Sequence, residues 1–330
     1  MRWAFVGAST IADRWMVEAV RAVGDDVVAV VSGDQARAEA FAGRHGIGHA
    51  LSTEDALADL DVDAVYISST NEKHEASTLR AAALKRHVLC EKPLATSLAA
   101  ARRMAQACAD AGVVMGTNHH LRHNSAHLHM REYIRKGALG KLVSARVHHS
   151  VYLPVNLQGW RLNNQGAGGG VVLDIAVHNA DSLAFLLGEY PTEVTAMTSN
   201  SGMATGMEDN AMSIWRFASG LTAFTHQGFT TPHARVALEL HGTEGSLEGD
   251  GVLHQGPDGT LHFLNKDGRL QIPLDQHNLY VRGLQNFHKA VRGEAHDMAD
   301  GVAGIRSLAV ALAVLESAQS GRAVTVNYGS

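Results

Sequence analysis

The chain has 330 residues, of which 45% are apolar and 18% charged, and its formal net charge is −5. That length accommodates two domains with a large core. The mild acidity, with no basic stripe carrying interleaved aromatics, argues against nucleic acid or an anionic membrane surface as a partner.

Residues 2–6 form an apolar run that enters Gly7-Ala8-Ser9-Thr10-Ile11-Ala12, and a helix is predicted over 11–23. A second apolar strand, 27–31, follows Gly24-Asp25-Asp26. Strand, tight turn, helix and strand are the context that a dinucleotide fingerprint requires. Gly7 takes the first glycine position, Ser9 stands at the second, and Ala12 fills the third, where alanine is tolerated. The N–H groups of Ser9, Thr10 and Ile11, with two hydroxyls, are expected to face a pyrophosphate at the helix N-terminus. The competing reading is a plain strand-to-helix turn. An NAD site usually carries an acid about 20 residues beyond the glycines, where it accepts from the ribose 2′-OH. Here that place holds Ser32 and Gly33, with Arg37 in the first turn of the next helix. A hydroxyl and a guanidinium suit a 2′-phosphate, so NADP(H) is expected; nearby Asp34 is the feature against it.

The alternation continues with helix 37–44, a short helix 54–58 and a buried strand 64–68 that ends in Ser69-Thr70-Asn71-Glu72-Lys73-His74. After helix 75–85 comes Val88-Leu89-Cys90, apolar enough to be covered on both faces. Glu91-Lys92-Pro93 follows directly. Pro93 cannot extend a ladder and biases Lys92 towards extended geometry. Lys92 therefore sits at the carboxyl end of a strand, where open α/β sheets bind ligands. Ser97 caps an alanine-rich helix that runs to Ala111 and stops at Gly112. Strand 113–117 then ends in Asn118-His119-His120. Three consecutive strands thus end in polar clusters, Thr70/Asn71/His74, Glu91/Lys92 and Asn118/His119. A ligand cleft explains three such clusters better than capping does.

Beyond residue 121 the pattern changes. Helix 126–136 and strand 141–152 lead to a polar loop with Trp160-Arg161 and the glycines 166 and 168–170. Residues 171–178 open an apolar helix that reaches 187. Strands at hairpin spacing follow (193–199, 211–217, 221–230, 235–241 and 245–253), then helices 280–291 and 301–320 and a closing strand 324–327. The fold class is α/β: an N-terminal Rossmann domain with a doubly wound parallel sheet, plus a C-terminal α+β domain with a large, mainly antiparallel open sheet. Residues 1–121 are assigned to dinucleotide binding and 122–330 to substrate binding and catalysis.

Asp174 and His178 stand four apart on an apolar helix and so share a face. A helix-start aspartate with a satisfied core histidine is the plain explanation. The functional reading sets them opposite Lys92, across a cleft between domains. A lysine ammonium beside a carbonyl can donate a proton and stabilise the oxyanion that forms as hydride arrives. Asp174 would hold the lysine and substrate hydroxyls, and His178 would orient the carbonyl or share the proton. Lysine ordinarily titrates near about 10.4, so this chemistry needs burial or a neighbouring cation. Cys90 and Cys108 lie in apolar contexts without a CxxC pairing, which fits a reducing compartment. The first residues read as a strand rather than a signal peptide, and no apolar run is expected to approach the ~20 residues of a membrane span. A cytoplasmic location is expected.

Glu91-Lys92-Pro93, the Ser69–His74 strand end and the run from Gly168 to His178 together resemble the Gfo/Idh/MocA oxidoreductases, over nearly the full length. Gly7–Ala12, Cys90–Ala95, Gly116–Arg122, Tyr152–Pro154 and Leu157–Leu162 resemble one branch of that family, in which a serine at position 9 is usual. The resemblance implies NADPH-dependent reduction of the C2 ketone of a sugar, with Lys92, Asp174 and His178 as the catalytic set. It implies cofactor contacts at Ser9, Thr10, Ile11, Ala12, Ser32, Gly33, Arg37, Ser69, Thr70, Asn71, His74, Glu91, Lys92, Asn118, Trp160 and Arg161. Substrate contacts are expected at Lys92, His119, Asp174, His178 and Tyr280. The family also pairs subunits through the open sheet face, so a homo-oligomer is compatible. Another sugar or a cyclitol is the runner-up substrate. Two other classes compete. A metal enzyme built on histidines 119, 120, 123, 127 and 129 lacks an HExxH-type motif or paired acids. A non-catalytic redox sensor would have no need of Lys92, Asp174 and His178 together.

Overall fold

Short runs that are apolar on both faces build a six-stranded parallel sheet in the computed structural model, which describes residues 1–329. Its strands are β1 Arg2–Val6, β2 Asp26–Val31, β3 His49–Leu51, β4 Ala64–Ile67, β5 His87–Cys90 and β6 Met115–Thr117. Their spatial order is β3-β2-β1-β4-β5-β6, so the winding reverses between β1 and β4. The carboxyl ends of strands at such a reversal are where doubly wound sheets hold ligands. The connecting helices are α1 Val17–Ala22, which continues a π-helical turn Ala12–Met16, then α2 Gln35–His45, α3 His74–Ala83 and α4 Leu98–Asp110. Ser97 caps α4 as expected, accepting from the Ala100 N–H.

This first unit comprises Met1–His119 together with Tyr280–Ile305. The returning segment packs Phe287 against Trp3 with ring centroids 5.2 Å apart, and the Ala299 carbonyl accepts from the Thr117 N–H at 2.7 Å. Assigning everything beyond residue 121 to the second domain therefore misses one segment. Periodicity marks 280–291 as a helix but says nothing of where its apolar face docks.

The second unit runs from His120 to Leu279 and resumes at Arg306. It contains α5 Ser125–Arg135, β7 Leu142–Ser150, α6 Val155–Asn163 and α7 Val177–Leu187, the last continuing a π-helical turn Val172–Ala176. The strands β8 Pro191–Ser199, β9 Asn210–Phe217, β10 Thr222–Gly228, β11 Val236–Gly242, β12 Ser246–Asp250, β13 Thr260–Asn265 and β14 Gly268–Ile272 follow. After α8 Leu279–Val291 and α9 Gly301–Ser320, β15 Val324–Thr325 completes a nine-stranded sheet ordered β14-β13-β12-β11-β7-β10-β9-β8-β15. Only the β7–β10 pair is parallel. Helix α6 occupies what reads as a polar loop, because its apolar spacing is broken at Gly159, whose φ is +26°. Helix α9 has the length and composition to cross a membrane, against the expectation that no run approaches that length, yet most of it is buried inside the protein.

Helix α7 is buried along nearly its whole length, so its polar side chains need partners. Asp181 receives Arg122 as a fork, with Nε at 2.8 Å and Nη2 at 2.6 Å. The Asn179 amide oxygen lies 2.9 Å from His149 Nδ1. His127, on α5, is fully buried, and neither ring nitrogen has a hydrogen-bond partner among the described residues. Burial pushes it down to about 4; His149 adds to that and Asp181 opposes it. Its folded value thus lies below its unfolded one, so the unfolded chain takes up the proton first. Stability should be undiminished above the unfolded value and fall towards pH 4 by up to about 1.4 kcal/mol per pH unit from this group. His127→Leu should flatten the acid limb of Tm against pH between these limits. A slope equal to that of the wild type would contradict the assignment.

Candidate active site

The first turn of the parallel sheet depends on a close backbone approach. Gly7 adopts φ +112°, and a Cβ there would lie 2.7 Å from the Ser68 carbonyl carbon and the Ser69 nitrogen. No other residue type fits this position. Ser9 stands where a second glycine is expected, and its hydroxyl serves the loop itself. It donates to Ser68 Oγ at 2.8 Å and accepts from the Ala12 N–H at 3.2 Å. The Ser68 hydroxyl donates in turn to the Gly7 carbonyl. Thr10 and Ile11 open the helix and Ala12 starts its π turn, so this N-terminus is presented at the carboxyl edge of the sheet. At the end of β2, Ser32 is half-buried, while Gly33 and Arg37 are exposed. Asp34 caps α2, its carboxylate accepting from the Arg37 N–H at 3.1 Å. The acid that counted against a 2′-phosphate therefore has a structural task. No acid pairs with the Arg37 guanidinium among the described residues.

Three adjacent strand ends are tied by one carboxyl oxygen. Glu91 Oε1, just past β5, accepts from the Tyr66 hydroxyl of β4 at 2.6 Å and from the Asn118 amide beyond β6 at 2.6 Å. Burial raises the Glu91 carboxyl above the ordinary range, against the two donors and the Lys92 charge. Burial and the same carboxylate push the Tyr66 phenol well up, so it remains a donor. Lys92 follows this anchor directly and is half-buried. Ser69 and Thr70 are half-buried and Asn71 is buried, all at the β4 end of the same edge.

Two expected contacts are corrected. His74 is fully buried, with Nδ1 3.1 Å from the Pro93 carbonyl and Nε2 3.1 Å from the Ser69 carbonyl. Burial lowers it, against the facing carbonyls of Ser69, Pro93 and Leu94, and both ring nitrogens point at backbone, so the ring sits between the β4 end and the loop after Lys92 rather than facing a cofactor. Tyr280 was expected on the substrate. Instead it is 1% exposed in the core of the first unit, stacked on Trp15 at 5.6 Å. His119 is also buried, at 2% exposure.

In the second unit, Asp174 lies within the π turn and His178 on α7 proper. The wider π turn brings residues four apart closer into line than α spacing does, and such turns are frequent at functional sites. Arg161 Nε approaches Asp174 Oδ2 at 3.4 Å, and its guanidinium stacks on Trp160 at 4.7 Å. His178 is nearly buried between two other imidazoles, with ring centroids 5.1 Å from His120 and 6.1 Å from His149. A depression of about 450 Å³ elsewhere in this unit, lined by Arg122, Arg131, Arg306 and aromatic rings, contains none of the candidate catalytic side chains. Sequence reasoning missed Tyr66 and Glu208. A lone tyrosine in a fully buried strand was the available signal for Tyr66, since its hydroxyl must find a partner. For Glu208, whose carboxyl meets the start of the Asp174 helix, the paired glycines Gly169-Gly170 were the only hint of a close neighbour.

Comparison with known proteins gives a consistent picture. Residues 1–119 match the profile of an oxidoreductase family with an NAD-binding Rossmann fold, and residues 127–248 match the GFO/IDH/MocA C-terminal domain. The chain is 48% identical to 1,5-anhydro-D-fructose reductase of Ensifer adhaerens over 330 residues, covering 99% of each. It is 30% identical to D-xylose 1-dehydrogenase (NADP(+)) 2 of Haloferax volcanii over 336 aligned positions, covering 99% of this chain and 100% of that one. The crystal structure of an aldose-aldose oxidoreductase from Caulobacter crescentus, complexed with glycerol, superposes with a TM-score of 0.90 at 25% identity, covering 98% of this chain and 99% of that one.

Tyr66→Phe should uncouple β4 from Glu91 while keeping the ring. Hydrogen bonds to charged groups contribute about 1.5–3 kcal/mol, so Tm should fall by several degrees. An unchanged Tm would show that the hydroxyl does not hold Glu91.

Proposed function

Because the chain belongs to the GFO/IDH/MocA family of oxidoreductases, we propose that it reduces the C2 ketone of 1,5-anhydro-D-fructose to 1,5-anhydro-D-mannitol with NADPH. The observation that carries this reading is the 48% identity to a reductase of that substrate along the whole of both chains. The residues present fit a dinucleotide. The Gly7 cradle brings backbone to the sheet edge with no side chain in the way, and a helix N-terminus opens there. When bound, the cofactor supplies the hydride.

The chain's own groups supply the rest. Ser9, Thr10, Ile11 and Ala12 offer the pyrophosphate a helix N-terminus, and Ser32, Gly33 and Arg37 receive the 2′-phosphate. Ser69, Thr70, Asn71, Glu91 and Asn118 line the same strand edge, and Trp160 with Arg161 adds further contacts. Lys92 donates a proton to the ketone oxygen and stabilises its developing charge. Asp174 holds substrate hydroxyls, and His178 orients the carbonyl. The 30% identical aldose dehydrogenase supports a second reading, oxidation of an aldose by NADP. An NADPH-oxidation assay over a panel of keto-sugars, with the C2 configuration of the product determined, separates the two. No turnover of 1,5-anhydro-D-fructose, or a product of the opposite configuration, would overturn the first reading.

Arg37→Ala should weaken NADPH by the worth of a charge-assisted pair, about 1.5–3 kcal/mol, and leave NADH nearly unchanged. Equal losses for both cofactors would remove Arg37 from the argument. Lys92→Met keeps bulk and removes the donor, so it should fold and bind NADPH to within a few-fold. Its kcat should fall roughly 100-fold or more, the range that general acid catalysis supplies. If lysine is the proton donor, the alkaline limb of kcat/KM disappears in this variant and survives in His178→Ala. Near wild-type turnover by Lys92→Met would sink the mechanism.

A further inference from the structure

The first N–H groups of a helix have no acceptors within it. In the helix that carries Asp174 and His178, the residue at the N-cap, Val171, makes no side-chain cap. The acceptor comes from Glu208, 36 residues downstream, whose Oε1 takes the Val172 N–H at 3.1 Å. The Glu208 carbonyl takes the Val171 N–H at 3.2 Å, and the Gly170 carbonyl takes that of Asp174 at 3.3 Å. Gly170 makes this approach feasible: its φ is +103°, and a Cβ there would lie 2.3 Å from Glu208 Oε1. A Cβ on Gly169 would lie 2.9 Å from Met207 Sδ.

Glu208 is itself fixed by its neighbour. Asp209 is fully buried and accepts from the N–H groups of Ser201 at 2.8 Å, Met203 at 3.0 Å and Ala204 at 3.2 Å. The turn between β8 and β9 is thereby a folded bracket rather than a free loop.

We propose that Glu208 is a positioning residue: its carboxyl oxygen caps the π turn from outside and sets where Asp174 lies. The proposal rests on the catalytic reading of that helix. Holding the Val172 N–H on an external acceptor fixes where the helix starts, and so where Asp174, two residues on and 3.4 Å from Arg161, is placed. A displacement of 1 Å at a reacting group costs about 100-fold in rate, so a cap that never touches substrate still governs kcat. Either protonation state of Glu208 presents an acceptor oxygen, so the function requires the acceptor and not the charge.

The test compares Glu208→Gln, Glu208→Met and Glu208→Ala for NADPH affinity, KM, kcat and amide hydrogen exchange over residues 171–176. Glutamine keeps the acceptor and should hold kcat within a few-fold of the wild type. Methionine keeps the bulk without an acceptor and should lower kcat roughly tenfold or more, with KM and NADPH affinity changed little. Protection of the Val172 amide should persist in the glutamine variant and be lost in the other two. Should the alanine variant fail to fold, the methionine variant, which leaves no cavity, decides. Equal damage from Gln and Met would overturn the proposal, as would wild-type kcat and protection in Met. If the wild-type enzyme reduces no keto-sugar, the catalytic reading fails, and the exchange comparison alone still decides whether Glu208 caps the turn.

Discussion

A single carboxyl oxygen holds the carboxyl edge of the parallel sheet together at three strand ends. Glu91 Oε1 accepts two bonds of 2.6 Å, one from Tyr66 on β4 and one from Asn118 beyond β6, and so spans three adjacent strand ends. Short contacts of this kind mark charge-assisted hydrogen bonds. They oppose the burial that raises the Glu91 carboxyl, so each donor favours its charged form at this strand end. Lys92 is the next residue, and His74 clamps the chain immediately after it through the Pro93 and Leu94 carbonyls. The lysine is thus bounded on both sides by bonds that involve buried groups. A long, rotamer-rich side chain gains a defined origin from such bounds.

The same construction recurs at the start of the helices that follow Gly7 and Gly170. Each opens with a π turn, Ala12–Met16 and Val172–Ala176, and each follows a glycine with strongly positive φ that could not carry a Cβ. At Gly7 the obstruction is the Ser68–Ser69 backbone, and at Gly170 it is the Glu208 carboxyl. The capping differs. Ser9 caps locally, three residues ahead of Ala12, whereas Val172 receives its acceptor from a distant turn. A local cap forms with the helix, while a remote cap ties helix geometry to the sheet that delivers it.

These differences decide what could be read from the sequence. The order of strands and helices in the first unit is legible because buried parallel strands are apolar on both faces and their ends are abruptly polar. Lys92 is legible because Pro93 marks the strand end, and the Asp174 helix because two polar groups interrupt an apolar face. Roles that depend on who surrounds a side chain are not. His74 reads as one more polar residue at a strand end, and only the fold shows both its nitrogens on carbonyls. Tyr280 reads as a wall of the site, yet its ring is in the core against Trp15. The docking of 280–305 onto the first unit, helix α6 and the Glu208 cap all depend on contacts between residues far apart in sequence, which no local pattern records.

Asp34 shows how a helix cap can redirect a charge at a strand end. A carboxylate at the end of the second strand ordinarily accepts from a ribose hydroxyl and repels a phosphate. Here its oxygen accepts from the Arg37 N–H, and its charge faces the positive end of the α2 dipole. That arrangement draws the negative charge towards the helix axis and leaves the Arg37 guanidinium as the exposed cation of the same turn. An exposed guanidinium attracts weakly on its own, since water and salt screen it. A guanidinium of this kind presents a fork whose geometry matches a phosphate, as a compact ammonium does not. The charge displayed at this strand end is therefore set by the Arg37 guanidinium and by where Asp34 directs its own charge, and the latter is set by the capping of α2.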